Sequence, residues 1–244
     1  MKYQLRNLEN QVVLITGASS GIGLSTARAF AEEGAKLVLN SRGQTRLDKI
    51  VKEIGSSQAI GVIGDCSDSK VTKKMASVAM ENWGRIDSLV ANAGTGYFGS
   101  VLSGSDDQII QTVHTNFIGT VQLVRAGLPQ MVRQKSGDIV IVASAAGYRG
   151  YADEAVYAGT KHAQVGFAGS LDREVRESGV RVSLVCPAGT DTDFAFGNGR
   201  TPGDPSLRDY LAPEDIAFQI LTIIKMPITM RTQSWGTWSM KQSS

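Results

Sequence analysis

The chain has 244 residues, 20% of them charged, and a formal net charge of +2. This length is common for a single α/β domain with one substantial core, and the small net charge argues against a nucleic acid or an anionic membrane as partner. We therefore predict one domain over residues 1–244, with neither nucleic-acid nor membrane partners.

The cysteine content and the hydropathy of the chain favour a cytoplasmic location. Cys66 and Cys186 lie far apart without metal-ligand spacing, which is typical of reduced, buried thiols. No apolar run approaches the roughly 18 residues of a membrane span, and the N-terminus is too polar for a signal peptide. We expect a cytoplasmic protein without a metal site.

The first motif combines a strand, a glycine-rich turn and a helix. Residues 12–15 form an apolar run without alternation, as in a parallel strand covered on both faces. The turn that follows, before a predicted helix that reaches Glu33, is Thr16-Gly17-Ala18-Ser19-Ser20-Gly21-Ile22-Gly23. Such glycines permit a tight turn and let a pyrophosphate approach the helix N-terminus. Because any strand-to-helix turn favours glycine, the motif alone leaves a nucleotide site undecided.

The second predicted strand, residues 37–39, leads into Asn40-Ser41-Arg42. Dinucleotide folds that prefer NAD place an acidic residue here for the ribose hydroxyls, whereas an arginine accommodates a 2′-phosphate. No acid is present, so we predict that NADP(H) is preferred over NAD(H), with Ser41 and Arg42 at the phosphate. The alternative is that Arg42 is a solvated loop residue.

The middle of the chain continues the alternation of strand and helix. Strands are predicted at residues 59–63 and 88–91, with a helix over 71–83 between them. This alternation of strands and helices predicts a parallel sheet. Asp65, just after the third strand, is a candidate acceptor for an adenine amino group, although turn capping explains it equally well.

A long helix is predicted from Asp106 to about Arg133, because apolar residues recur at helical spacing from Ile109 to Met131. Asn116 lies beside this stripe, and its amide needs partners if it faces inward. Pro129 is expected to kink the helix or end its last turns.

The segment from Ser144 to Lys161 carries the candidate chemistry. Ser144 ends the apolar strand 139–143, and the carboxyl ends of such strands are where open α/β sheets place ligands. Tyr157 and Lys161 are four apart, so on a helix the ammonium reaches the phenol. A tyrosine pKa of about 10 must fall by roughly 3 units for proton transfer near pH 7. One cation about 4 Å away supplies the required ~4 kcal/mol. Alone, such a trio also arises by chance.

The C-terminal third adds a sixth strand over residues 180–185, a helix over 213–225 and one strand around 234–240. Between them, a loop at about 193–212 is rich in Gly and Pro and is typical of a segment that covers a site. Arg149 and Arg208 are candidates for binding an acidic substrate. Aromatic residues expected at the pocket mouth, or else in ordinary loop packing, are Tyr97, Phe98, Tyr148, Tyr151, Phe194 and Phe196.

Together these motifs resemble the short-chain dehydrogenase/reductase family in its single-domain form, over roughly residues 11–225. The motifs in the family's order and spacing are Thr16-Gly17-x-x-x-Gly21-Ile22-Gly23, Asn92-Ala93-Gly94, Asn116, Ser144, Tyr157-x-x-x-Lys161 and the turn at Pro187. The resemblance implies a doubly wound, Rossmann-type α/β fold. Its mostly parallel sheet would have about seven strands, with helices on both faces.

By that resemblance Tyr157 is the general acid/base, Lys161 lowers its pKa and holds the nicotinamide ribose, and Ser144 orients the substrate oxygen. Asn116 would position a water leading from Lys161 to solvent, Asn92 would keep the sheet and adjoining helix in register, and Thr192 would lie near the nicotinamide amide. The candidate cofactor-binding residues are Gly17, Ser19, Ser20, Gly21, Ile22, Gly23, Ser41, Arg42, Asp65, Cys66, Asn92, Ala93, Gly94, Tyr157, Lys161, Pro187, Gly189, Thr190 and Thr192.

The expected activity is hydride transfer between NADP(H) and a carbonyl or alcohol substrate. The alternative is a non-catalytic NADP(H)-binding sensor or scaffold on the same fold. A sugar-nucleotide epimerase is disfavoured by length and glycine spacing. The resemblance also suggests a homodimer or homotetramer, with the Ile109–Met131 stripe and the small residues of the Tyr157 helix across a two-fold axis. The turn Pro187-Ala188-Gly189 and a tail without Val-Asp-Gly-Gly depart from the family pattern.

Overall fold

The computed structural model describes residues 4–242. At its centre lies a sheet of seven parallel strands in the order β3-β2-β1-β4-β5-β6-β7. The strands are β1 (Val12–Thr16), β2 (Lys36–Ser41), β3 (Ala59–Ile63), β4 (Ser88–Ala91), β5 (Gly137–Val142), β6 (Val180–Pro187) and β7 (Ser234–Thr237). The predicted Rossmann-type sheet is therefore confirmed, and it is parallel throughout.

Helices cover both faces of the sheet. They are α1 (Gly21–Glu32), α2 (Gln44–Ile54), α3 (Ser69–Trp83), α4 (Asp106–Val113), α5 (Gly119–Gln134), α6 (Ala155–Val175) and α7 (Pro213–Lys225). Successive β1 residues enter different cores: Leu14 belongs to the core that includes α3, α5 and α6 residues, and Ile15 to the one that includes α1, α2 and α7 residues. Burial on both faces explains why the strands are continuous apolar runs.

The order of the strands reverses at β1. The chain runs outward from β1 to β2 and β3, then returns to β4 on the other side and continues to β7. Connections therefore diverge above the carboxyl ends of β1 and β4, which leaves a crevice between them. This crevice is where the sequence motifs converge.

The long helix predicted over residues 106–133 is interrupted. A π-helical turn, His114–Ile118, separates α4 from α5. Helix α5 does not end at Pro129 but continues to Gln134. Pro129 is exposed, so the carbonyl that it leaves without a partner can bind water. Buried Leu123 and Met131 hold the helix on its other side.

The C-terminal tail contributes the edge strand β7, which ends at Thr237 rather than at residue 240 as predicted. It pairs with β6 through residues 184–187. The single-domain prediction also includes residues 1–3 and 243–244, which lie outside the described residues. Over residues 4–242, no helix has the length and apolar character needed to cross a membrane.

The turn between β1 and α1 packs against the end of β4. Asn92 Nδ2 donates to Thr16 O at 3.0 Å and to Gly17 O at 3.3 Å. A Cβ atom at Gly23 would lie 2.2 Å from Gly17 O and 2.5 Å from Asn92 Nδ2. Only glycine fits there, because the nearest atom belongs to the backbone and cannot rotate away.

We expect Gly23→Ala to lower the free energy of unfolding by about 1–3 kcal/mol, the usual cost of overpacking. Urea unfolding followed by circular dichroism measures this. Gly150→Ala is the matched control, since a Cβ there meets nothing within 4 Å. The control should stay within ~0.5 kcal/mol of the unmodified protein. Equal stability of both variants would contradict the close packing.

Candidate active site

One cleft of about 950 Å³ lies at the carboxyl edge of the sheet. All predicted site residues except Gly23 and Asn116 line it; these two lie behind its wall. The predicted residues at the cleft surface are Gly17, Ser19, Ser20, Gly21, Ile22, Ser41, Arg42, Asp65, Cys66, Asn92, Ala93, Gly94, Ser144, Tyr157, Lys161, Pro187, Gly189, Thr190 and Thr192. Residues from distant parts of the chain are thus brought to one surface.

The glycine-rich turn forms one wall of the cleft. Gly17 and Gly21 have φ angles of +66° and +49°, a region that favours glycine. Helix α1 begins at Gly21, and neither a side-chain cap from Ser20 nor an acidic residue in the first turn occupies its N-terminus. Its first amide groups are therefore free to bind an anion such as a pyrophosphate.

The end of β2 supplies the positive charge of this wall. Arg42 is exposed at the cleft, while the buried Ser41 hydroxyl exchanges hydrogen bonds with Gly43 at 3.1 Å. Arg46, in the first turn of α2, also lines the cleft, and its Nη1 lies 3.8 Å from Asp193 Oδ2. Sequence reasoning missed Arg46, although its spacing of four residues from Arg42 was a usable signal.

The residues after β3 make mainly local contacts. Asp65 Oδ1 accepts hydrogen bonds from the Ser67 amide and hydroxyl, both at 2.8 Å. Asp65 therefore caps the turn, as in the alternative to an adenine contact. Burial, with the Asp65 charge, raises the pKa of the Cys66 thiol to about 12. The thiol is therefore neutral and packs as a small apolar group.

Tyr157 and Ser144 form the floor of the cleft. Ser144 lies two residues after the end of β5, and its Oγ accepts a hydrogen bond from the Ala146 amide at 3.1 Å. Tyr157 lies in the first turn of α6 and is only 8% exposed. Phe98 and Phe194 pack on its ring, with centroids 5.5 Å and 5.7 Å away. The phenol is thus held among apolar rings beside the end of β5.

The electrostatics of Tyr157 differ from the expectation that a lysine lowers its pKa. Burial raises the pKa of Tyr157 to about 12, while the Ser144 hydroxyl acts in the opposite direction and the Glu154 charge adds to the rise. Removing the phenol from water disfavours the phenolate, and this outweighs the opposing effects of the Ser144 hydroxyl and the Arg200 charge on the Tyr157 pKa. In the chain alone, Tyr157 is a protonated phenol at neutral pH.

Lys161 is 3% exposed, and its ammonium is bound to the protein. Its Nζ donates to Val142 O and to Gln164 Oε1, both at 3.0 Å, and lies 5.6 Å from the Tyr157 ring centroid. Burial lowers the pKa of Lys161 to about 8. The lysine therefore lies under the tyrosine ring but is oriented by the end of β5 and by a glutamine.

Asn116 lies in the π-helical turn and is completely buried. Its Oδ1 accepts from the Thr95 amide at 2.8 Å, and its Nδ2 donates to Thr95 O at 2.9 Å and Thr160 Oγ1 at 3.0 Å. Its carbonyl oxygen accepts from Gln164 Nε2 and Thr120 Oγ1, both at 2.8 Å. The Asn116 carbonyl oxygen is thus engaged by a side-chain amide and a hydroxyl.

The far end of the cleft mixes aromatic and charged side chains. Phe98, Tyr151, Phe194 and Phe196 line it as expected, whereas Tyr97 and Tyr148 do not. The Tyr97 hydroxyl binds Ser103, and that of Tyr148 binds Ser234, so both are used in loop packing.

Charged residues at this end differ from those expected. Arg149 and Arg208 do not line the cleft, but Glu154 and Arg200 do. Burial raises the pKa of Glu154, and Arg200 opposes this shift. Glu154 precedes Tyr157 by three residues, which was a usable signal, whereas nothing local in the sequence marks Arg200.

Comparisons with known proteins agree with this geometry. The family model of the short chain dehydrogenases matches residues 11–201. Dehydrogenase/reductase SDR family member 7B of Danio rerio is 33% identical over 232 residues, which cover 89% of this chain and 75% of the relative.

Two solved structures are similar over nearly their whole length. The alcohol dehydrogenase from the archaeon Thermococcus sibiricus, complexed with 5-hydroxy-NADP, has a TM-score of 0.88 at 30% identity, covering 97% of this chain and 99% of that chain. The closed form of serine dehydrogenase, complexed with NADP+, has a TM-score of 0.88 at 28% identity, and the match covers 96% of this chain and 97% of that chain. The chain therefore belongs to the short-chain dehydrogenase/reductase family and is an oxidoreductase of that family.

Proposed function

We propose that the protein transfers a hydride between NADP(H) and a carbonyl or alcohol, with Tyr157 as general acid/base. The observation that carries this proposal is that Ser144, Tyr157 and Lys161 lie in the same cleft as the open N-terminus of α1. A dinucleotide bound along the cleft would reach from the glycine-rich turn to the phenol. When bound, the nicotinamide supplies or takes up the hydride.

The residues present fit such a cofactor. The amides at the start of α1 suit the pyrophosphate, and Gly21 brings the backbone close to Thr192, where a Cβ would lie 3.0 Å from the threonine Cγ2. Arg42, with Arg46 beside it in the cleft, suits a 2′-phosphate, because guanidinium groups bind phosphate oxygens through paired hydrogen bonds. Lys161 would hold the nicotinamide ribose.

The proton chemistry follows from the environment of Tyr157. A phenol with a pKa of about 12 is protonated at neutral pH and is ready to donate its proton to a carbonyl oxygen that Ser144 orients. In the reverse direction the phenol must first lose its proton, so alcohol oxidation is expected to speed up as pH rises. The Lys161 ammonium favours the phenolate in that step.

The lining of the cleft favours a carbonyl substrate with an apolar or aromatic body. Phe98 and Phe194 line the cleft and pack on the Tyr157 ring. Glu154 and Arg200 stand at the same end and would orient polar substituents.

The non-catalytic alternative, a sensor or scaffold that binds NADP(H), would use the same cofactor residues. It gives no reason for a phenol, a hydroxyl and an ammonium to converge at the end of β5. Turnover that depends on the phenol distinguishes the two functions.

We expect Tyr157→Phe to lower kcat for NADPH-dependent carbonyl reduction by about 10²-fold or more, because the proton donor is lost. A panel of aldehydes and ketones, followed through NADPH absorbance, provides the assay. NADPH affinity, measured by fluorescence titration, should change little.

Tyr97→Phe is the matched control for this experiment, since Tyr97 lies outside the cleft lining. Its activity should equal that of the unmodified protein. Unchanged turnover in Tyr157→Phe would refute the catalytic assignment.

We expect Arg42→Leu to weaken NADPH binding by about 10- to 100-fold, because hydrogen bonds to a charged group contribute about 1.5–3 kcal/mol. NADH affinity should barely change, and Ser41→Asp combined with Arg42→Leu should shift the preference toward NADH. Calorimetric titration of both cofactors measures the change.

Arg28→Leu serves as the control, because Arg28 pairs with Glu53 at 2.7 Å and does not line the cleft. If the unmodified protein binds NADH as tightly as NADPH, Arg42 is a solvated loop residue and the predicted preference for NADP(H) is wrong.

The proposed homo-oligomer would form on the face of α4 and α6. Ile110 and Val113 are exposed on α4, and a Cβ at Gly159 or Gly166 on α6 would meet nothing within 4 Å. Val124 and Met131, at the other end of the predicted stripe, instead pack in the core of this chain. Only the first half of the stripe is therefore available to a second copy.

Light scattering at micromolar concentration should give at least twice the 26.0 kDa of one chain. Ile110→Asp should lower that mass, because it would bury a charge in the interface. A mass of one chain for the unmodified protein would contradict the assembly.

A further inference from the structure

Gln164 is a completely buried polar residue at the centre of the site. Its Oε1 accepts from Lys161 Nζ at 3.0 Å, and its Nε2 donates to Asn116 O at 2.8 Å and to Thr120 Oγ1 at 2.7 Å. Both ends of the side-chain amide are thus used. The glutamine joins the ammonium on α6 to the π-helical turn and to the start of α5.

The contact matters because a buried ammonium is costly unless it is hydrogen-bonded. Two of the three N–H groups of Lys161 have protein acceptors, Val142 O and Gln164 Oε1. The backbone acceptor is fixed by β5. The glutamine therefore supplies the side-chain acceptor that sets the direction of the ammonium.

We propose that Gln164 is a positioning residue for the reaction, holding the Lys161 ammonium under Tyr157 and linking it to the Asn116 carbonyl. Asn116 O already accepts from both Gln164 and Thr120, so its lone pairs are engaged. The inference rests on the proposed function, since it assigns Gln164 its role through Lys161 and Tyr157.

The charged and titratable groups around the ammonium determine in which direction the pKa of Lys161 should shift. Tyr157 lies above it on α6, Cys186 faces it from β6, and Glu154 and Arg200 act on Tyr157 from the cleft. Burial already lowers the pKa of Lys161 to about 8. Removing the Gln164 acceptor lowers this pKa further, because the charged form loses a hydrogen bond. A carboxylate at position 164 raises it.

The consequence for turnover follows from the charge of Lys161. With less ammonium present at a given pH, the Tyr157 phenolate is less stabilised. The acid limb of the pH profile for alcohol oxidation by NADP+ then moves to higher pH. A glutamine that merely links helices would not change this limb.

The experiment compares Gln164→Met, which keeps the length of the side chain without its amide, and Gln164→Glu, which keeps an acceptor and adds charge. Gln219→Met is the matched control, since Gln219 on α7 is 3% exposed and donates to Trp235 O and Thr237 Oγ1 of β7. The pKa of Lys161 is followed by NMR of ¹³C-lysine-labelled protein without cofactor, with Lys161→Met for assignment. The pH profile of kcat for alcohol oxidation is the second measurement.

In Gln164→Met we expect a lower Lys161 pKa, an acid limb moved up by about one pH unit, and kcat near pH 7.5 reduced about tenfold. KM should change less than kcat. In Gln164→Glu the Lys161 pKa should rise. Gln219→Met should lose stability without moving either titration.

An unchanged Lys161 pKa in Gln164→Met would overturn the inference, as would an equal shift in Gln219→Met. If Gln164→Met does not fold, a Lys161 pKa in Gln164→Glu that equals the unmodified value would overturn it. The NMR titration needs no turnover, so failure of the proposed function appears separately, as activity retained by Tyr157→Phe.

Discussion

The site depends above all on the burial of one positive charge, the Lys161 ammonium. A charge removed from water must be compensated by hydrogen bonds, and here the compensating groups come from the end of β5 and from Gln164. Gln164 in turn binds the carbonyl of Asn116, which the π-helical turn presents. The sheet, α6 and the interrupted helix are therefore joined at a single polar network beneath the cleft.

Burial acts on the two titratable groups of this network in opposite directions. It raises the pKa of Tyr157 and lowers that of Lys161, so each group is pushed toward its neutral form. The aromatic cover from Phe98 and Phe194 adds to this effect by excluding water. The protonation states of Tyr157 and Lys161 are thus governed by how well the protein supports charge in an apolar setting.

The two ends of the cleft are built differently. The glycine-rich turn presents backbone amides, whereas the end near Tyr157 is lined by side chains from the loop over residues 193–212, including Phe194 and Arg200. An alcohol dehydrogenase and a serine dehydrogenase both match the fold with a TM-score of 0.88. The fold alone therefore does not determine the substrate.

The sequence by itself determined the parallel sheet, the glycine-rich turn and the spacing of Tyr157 from Lys161, because these features arise from local periodicity and backbone requirements. Those residues were expected at one cleft, and the structure places them there. Tertiary structure decided what periodicity does not encode: the π-helical turn at Asn116, the hydrogen-bond partners of Gln164, and the placement of Arg200 in the cleft. The physical reason is that a buried polar group takes its partners from segments distant in sequence, and its burial, not its spacing, decides which of its forms is stable.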